Sequence, residues 1–116
     1  MKSPDGLELP IFHSAYQLLM ALHERTGKFP KQDRYTIGER LQILAIDFLS
    51  LIIRANAVRN EARRGLLNEA SVTLDLFKIM LRLAHDTKAL PEKGYFDLAN
   101  QSREIGRMLG GWIKSS

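Results

Sequence analysis

The stretch IGERLQILAIDFLSLIIRA, Ile37 to Ala55, decides how this chain must fold. Between Leu41 and Ile53 its only polar residues are Gln42, Asp47 and Ser50. A surface helix of an ordinary monomer carries one apolar stripe and is polar on the opposite side. Here the charged positions Arg40, Asp47 and Arg54 recur every seven residues and form one narrow line, which leaves nearly all the rest of the circumference apolar. A helix of roughly 20 residues is about 30 Å long, so the segment reads as a long buried rod. The apolar run is too short and too interrupted for a membrane span of about 20 residues, and 116 residues are too few for the interior of a large protein. A rod covered on one side by its own chain and on another by a second copy meets both limits. Self-association is therefore the first expectation, with no membrane partner.

Composition agrees with a globular protein: 45% of residues are hydrophobic and 26% charged. The length fits one domain over residues 1–116. With no cysteine, a disulfide framework, a thiolate metal site and a cysteine nucleophile are all excluded. The opening residues MKSPDGLELP lack an apolar signal core, so a cytoplasmic protein is expected. The net charge is +4, a balance that favours polyanionic partners weakly.

The rest of the chain supplies helices to surround the rod. Residues 1–9 are polar with Pro and Gly and read as a loose arm. Pro10 suits a first helical turn, where its missing N–H is not needed. Ile11, Phe12, Ala15, Leu18, Leu19 and Leu22 follow with amphipathic spacing, and Gly27 stops the helix. The connector from Phe29 to Gly38 is long for a turn and carries aromatic residues, so it should pack against the bundle. Thr36 with Glu39 three residues on has capping-box spacing for the start of the second helix, which runs to about Val58. The polar run from Arg59 to Gly65 marks a turn, although helix could continue through part of it. A third helix is expected from about Leu66 to Thr87, with Leu66, Leu67, Ala70, Leu74, Phe77, Met80, Leu81 and Ala84 on its apolar side and Ser71, Asp75, Lys78, Arg82 and His85 on the other. A fourth runs from about Glu92 or Tyr95 to Lys114, with Leu98, Ile105, Leu109 and Trp112 on one stripe. No strand pattern, internal repeat or low-complexity segment is visible. The expectation is an all-α protein, an up-down-up-down four-helix bundle.

Motifs for chemistry are missing. A di-iron bundle needs Glu-x-x-His on two helices, and His13, His23 and His85 have no Glu at that spacing. There is no phosphate loop and no H-E-x-x-H zinc site. The helical ribonucleases of the HEPN type place a His four to six residues after an Arg; only two residues separate Arg82 from His85. No nucleophile, base and orienter come together. The chain reads as non-enzymatic, with no catalytic residue, metal or cofactor.

Two features remain. Ser102, Gly106 and Gly110 stand four apart on the last helix and give it a flank with almost no side chain. Glycine inside a helix costs up to about 1 kcal/mol relative to alanine, so a close approach of another helix is expected there, beside Trp112. The second feature is the placement of cations. Arg54, Arg59, Arg63 and Arg64 gather around the second turn, Lys78, Arg82 and Lys88 extend along the third helix, and Arg103, Arg107 and Lys114 sit on the fourth. Arg54, Arg59, Arg63, Arg64, Lys78, Arg82 and Arg107 are the candidate nucleic-acid contacts. No aromatic residue is interleaved in the basic clusters, so contacts to the backbone of RNA or DNA, not to bases, are expected.

A resemblance extends this reading. FPKQDRYTIGER, Phe29 to Arg40, resembles the F-P-K-x-[ED]-x-Y/F-x-[LI]-G signature of the bacterial four-helix-bundle proteins encoded in intervening sequences of large ribosomal RNA. The tail EIGRMLGGWI, Glu104 to Ile113, and the segment LFKIMLRLA, Leu76 to Ala84, resemble the accessory variability determinant (Avd) of diversity-generating retroelements. The resemblance covers about residues 10–114 and implies a pentameric barrel of four-helix protomers without catalytic activity. It also implies a reverse transcriptase as partner, with nucleic acid bound while template RNA is copied. Arg82 and Arg107 match basic positions of that family; Arg63 and Arg64 match them more loosely. Five chains would pool roughly +20 of charge, a field that attracts phosphate and makes affinity salt-dependent. The alternative is a structural oligomer of the intervening-sequence type with no polymerase partner.

Overall fold

A computed structural model describes residues 9–116. Most of the arm expected at residues 1–9 lies outside the described residues; Leu9 itself packs against the core. Four long helices follow: α1 (Pro10–Thr26), α2 (Glu39–Ala57), α3 (Asn60–Asp86) and α4 (Glu92–Ser115). A short helical turn, Lys31–Asp33, and a π turn, Arg34–Gly38, lead into α2. The described residues contain no strand. Packing runs α1 to α2, α2 to α3, α3 to α4 and α4 back to α1, which closes a four-helix bundle. At about 1.5 Å per residue, the 27 residues of α3 span nearly the whole 43 Å long axis. No helix among the described residues is long and apolar enough to cross a membrane.

The core draws on the expected faces. Leu22, Leu41, Ile52, Leu67, Phe77, Leu81, Leu98, Ile105 and Leu109 are all almost fully enclosed. Phe29 is 2% exposed and Ile37 packs beside the core, so the connector does close over the bundle. Thr26, buried at the end of α1, donates to the His23 carbonyl (3.2 Å) and accepts from Gln42 Nε2 of α2 (2.8 Å). That hydrogen bond ties the connector's two ends together. Gly38 lies under this lid: a Cβ there would stand 3.3 Å from the Asp33 carbonyl oxygen and 3.4 Å from the Phe29 ring.

Two local expectations are corrected. Thr36 does not cap α2; its hydroxyl donates back to the Gln32 carbonyl at 2.9 Å. The backbone is already helical from Lys31, so the π turn carries it into α2 with no free N-terminus to cap. The polar run Arg59 to Gly65 is not a turn but, from Asn60 on, the opening turns of α3. Reversal needs only Val58 and Arg59, both extended, followed by Asn60 at φ 56°, a left-handed angle that Asn tolerates better than most residues. At the same reversal Arg63 is engaged within the bundle. Its Nε donates to the carbonyls of Ala55 (3.0 Å) and Val58 (2.9 Å). The guanidinium sits 5.7 Å from the centre of the Trp112 ring, within cation–π range. Arg63 thus covers the open carbonyl end of α2 and joins it to α4.

The small residues of α4 also behave differently from one another. Four residues turn a helix about 40° beyond a full revolution, so Ser102, Gly106 and Gly110 drift from core to surface. Ser102 is buried, its hydroxyl on the Ala99 carbonyl at 2.9 Å. Gly106 is approached by the chain's own α3: a Cβ would lie 3.2 Å from Lys78 Nζ and 3.5 Å from Leu74 Cδ2. At Gly110 nothing comes within 4 Å.

Helix α2 hides Leu41, Leu44, Ala45, Phe48, Leu51, Ile52 and Ala55 in the core. On its far side Ile43, Ile46 and Ile53 are 41%, 53% and 39% exposed. Helix α3 repeats the pattern, which the sequence reading did not anticipate: Val72, Leu76, Ile79 and Leu83 form an outward apolar stripe with 3-4 spacing. The chain therefore presents two apolar lines on neighbouring helices.

Two outcomes follow. Arg63→Ala strips a charged donor from two carbonyls and should lower stability by about 1–3 kcal/mol in urea unfolding, with Arg63→Lys recovering only part of it; unchanged stability would refute the capping role. Gly106→Leu should destabilise by about 1–3 kcal/mol through overpacking against α3, whereas Gly110→Ala, in open space, should stabilise by up to about 1 kcal/mol.

Candidate nucleic-acid interface

The bundle sorts the expected cations into two groups. At one end, around the Val58–Arg59 reversal, Arg54, Arg59 and Arg64 are exposed. Arg63 stands among them in sequence, but its side chain is folded back onto α2 and Trp112. It is a fastening of the bundle, and the exposed members of this group are the other three.

The second group lies along the α3–α4 side. Lys78, Arg103 and Arg107 rim a groove of about 510 Å³. Gly106, Gly110, Leu74 and Leu109 are among its lining residues. The glycines leave this groove open to something bulky, and two carboxylates, Asp75 and Glu104, share its wall. Arg107 Nε donates to Glu104 Oε2 at 3.1 Å and its Nη2 is hydrogen-bonded to Glu104 Oε1. That hydrogen bond, helped by the arginine's charge, holds the Glu104 carboxyl below its ordinary range and Arg107 above its own. Both groups are solvent-exposed, so the pair is a weak bond that a phosphate can exchange for its own. Arg103 Nη1 donates to Asn100 Oδ1 at 2.8 Å. Arg82, further along α3, pairs with Asp86 at 3.6 Å.

Sequence reasoning named Lys78 and Arg107 but left Arg103 out of the candidate contacts, although the fold puts it on the same rim. It also overlooked the aromatic residues at the start of α4. His85 of α3 stacks on Tyr95 with ring centres 4.5 Å apart, and Tyr95 leans on Phe96 at 5.9 Å. Phe96 is 56% exposed. The signal was there in principle: once Leu98, Ile105 and Leu109 set the core face of α4, Phe96 has to point away from it.

His85 is engaged by Tyr95 and lies 3.5 Å from Asp86, which also takes Arg82. Among the described residues no three His, Cys, Asp or Glu gather as a metal site would require.

Comparison with curated proteins gives no match. Among solved structures the chain is similar to a protein of unknown function from the S23 ribosomal protein family of Bacteroides thetaiotaomicron VPI-5482, with a TM-score of 0.80 over 90% of this chain and 95% of that one. Sequence identity is 16%, so that likeness speaks for the four-helix fold alone. The bAvd-like family matches residues 11–116, a span that takes in all four helices, the connector and both groups of cations. This chain belongs to the bAvd-like family.

Proposed function

We propose that this chain is an Avd-type accessory protein, a non-enzymatic homo-oligomer that holds a reverse transcriptase together with its template RNA or cDNA. Family membership supports the accessory role. The observation that carries the assembly is the pair of outward apolar lines, Ile43, Ile46 and Ile53 on α2 and Val72, Leu76, Ile79 and Leu83 on α3. Monomers rarely expose contiguous apolar patches beyond a few hundred Å². The two lines differ in residues and sit on different helices, with Arg40 and Met80 lining the recess between those helices. Unlike surfaces that meet head to tail close into rings, and a ring of five is the arrangement that the Avd resemblance implies. Such a ring repeats the exposed arginines at the Val58–Arg59 end and the α3–α4 rim in every protomer. Repetition turns a modest +4 per chain into a field strong enough to steer a polyanion. The polymerase would be held by the same assembly, and RNA by backbone contacts to Arg54, Arg59, Arg64, Lys78, Arg82 and Arg107.

Light scattering should give a mass several times the 13.2 kDa of one chain. Ile46→Lys with Ile79→Lys should reduce it to 13.2 kDa without loss of helical circular dichroism. A wild-type chain that stays monomeric at micromolar concentration would end the assembly reading. Arg64→Glu, Arg82→Glu and Arg107→Glu together should abolish retention on RNA at low salt and leave the mass unchanged. An oligomer that retains neither RNA nor the reverse transcriptase encoded beside it would instead be a structural protein of the intervening-sequence type.

A further inference from the structure

The outward face of α4 combines an exposed ring with cations at helical register. Phe96 is followed by Asn100, Arg103 and Arg107 at steps of 4, 3 and 4 residues, and all four are exposed. This spacing keeps them on one line of the helix. At about 1.5 Å per residue, Phe96 stands roughly 10 Å from Arg103 and roughly 16 Å from Arg107 along the axis. Lys78 reaches toward the same line from α3, its Nζ beside Gly106.

A single exposed apolar residue needs no explanation. Phe96 differs because it is braced. Tyr95 supports it from one side and is itself stacked on His85, so the ring is held while more than half of its surface faces solvent. Of the acids near the line, Asp97 pairs with Arg25 of α1 at 3.1 Å and Glu104 with Arg107, while Asp75 shares the groove wall and Glu92 is exposed one turn before Phe96. Arg103 is steadied by Asn100. The line thus offers a flat apolar platform followed by positive charge, with two of the nearby carboxylates already paired.

Resting on the nucleic-acid reading above, we infer that this face binds a single-stranded segment, with one unpaired base stacked on Phe96 and the following phosphates at Arg103, Arg107 and Lys78. A duplex keeps its base faces covered and offers only its backbone and groove edges, whereas an unpaired base presents a face that an aromatic side chain can take. Base stacking of this kind tolerates any sequence, because every base has such a face. Phosphate contacts alone would not distinguish the two strand states. A ring placed about two to three turns ahead of the arginines does. The bound phosphate takes over Arg107 from Glu104, so that carboxylate acts as a competitor built into the site.

Fluorescence anisotropy at low salt tests this with a short labelled RNA strand, the DNA strand of the same sequence, and the duplex. The full chain should bind the strands more tightly than the duplex. Phe96→Ala should weaken strand binding roughly tenfold and leave the duplex unaffected, with Phe96→Tyr retaining affinity. Phe96→Leu keeps the bulk but lacks the aromatic face, so it should behave like Phe96→Ala even if the smaller residue disturbs α4. Glu104→Gln should tighten strand binding by about two- to fivefold. Tighter binding of RNA would name the template as the ligand, and of DNA the copy; either supports the inference. If the Phe96 variants weaken strand and duplex equally, or neither, stacking is overturned while nucleic-acid binding stands. If the unaltered chain binds none of the three, both fall.

Discussion

Helix α2 has more apolar surface than its own chain can cover. Its core side meets α1 and α3 through residues such as Leu41, Phe48 and Ile52, and its far side still carries Ile43, Ile46 and Ile53. Apolar area left in water forgoes about 25 cal/mol per Å² relative to burial, so a run of isoleucines facing out is a standing demand for a neighbour. The stripe on α3 makes the same demand. The two faces of α2 lie half a turn apart on a rigid rod. Anything that loosens the core therefore also misaligns the outer surface.

Much of the bundle could be read from the chain. Pro10 and Gly27 bound α1, and Pro91 precedes α4, because their backbone constraints act locally. The core of α3 follows from period alone. What escaped was set by distant parts. Arg63 looked like one more cation in a basic run, but its partners are a carbonyl eight residues back and an indole on another helix. The spacing of Thr36 and Glu39 suits a cap, yet the helical backbone begins earlier. Val72, Leu76, Ile79 and Leu83 are interleaved with core residues in sequence, so their outward direction emerges only once the core face is fixed.

The candidate interface was legible as chemistry but not as geometry. Arginines and lysines announce themselves in a composition count, while their usefulness depends on what holds them. Arg25 is engaged by Asp97, Arg82 by Asp86 and Arg107 by Glu104, all at or near the surface. Such pairs keep side chains poised without much cost to separate. Arg54, Arg59 and Arg64 are exposed at the other end of the bundle. The arginines therefore fall into two kinds, those paired with a carboxylate and those exposed at the helix reversal.

The π turn at Arg34–Gly38 bears on how this fold can vary. Widening one turn from α to π geometry absorbs an extra residue while the helical turn before it, Lys31–Asp33, and α2 after it keep their rotational phase. Without that slack, one residue more or less within the helical stretch 31–38 would rotate α2 by about 100° against the turn before it, carrying isoleucines toward the core and leucines away from it. The connector is thus the place where chain length can change while α2 still presents the same outer stripe. An alignment that puts its gap there keeps the two faces of the rod in register.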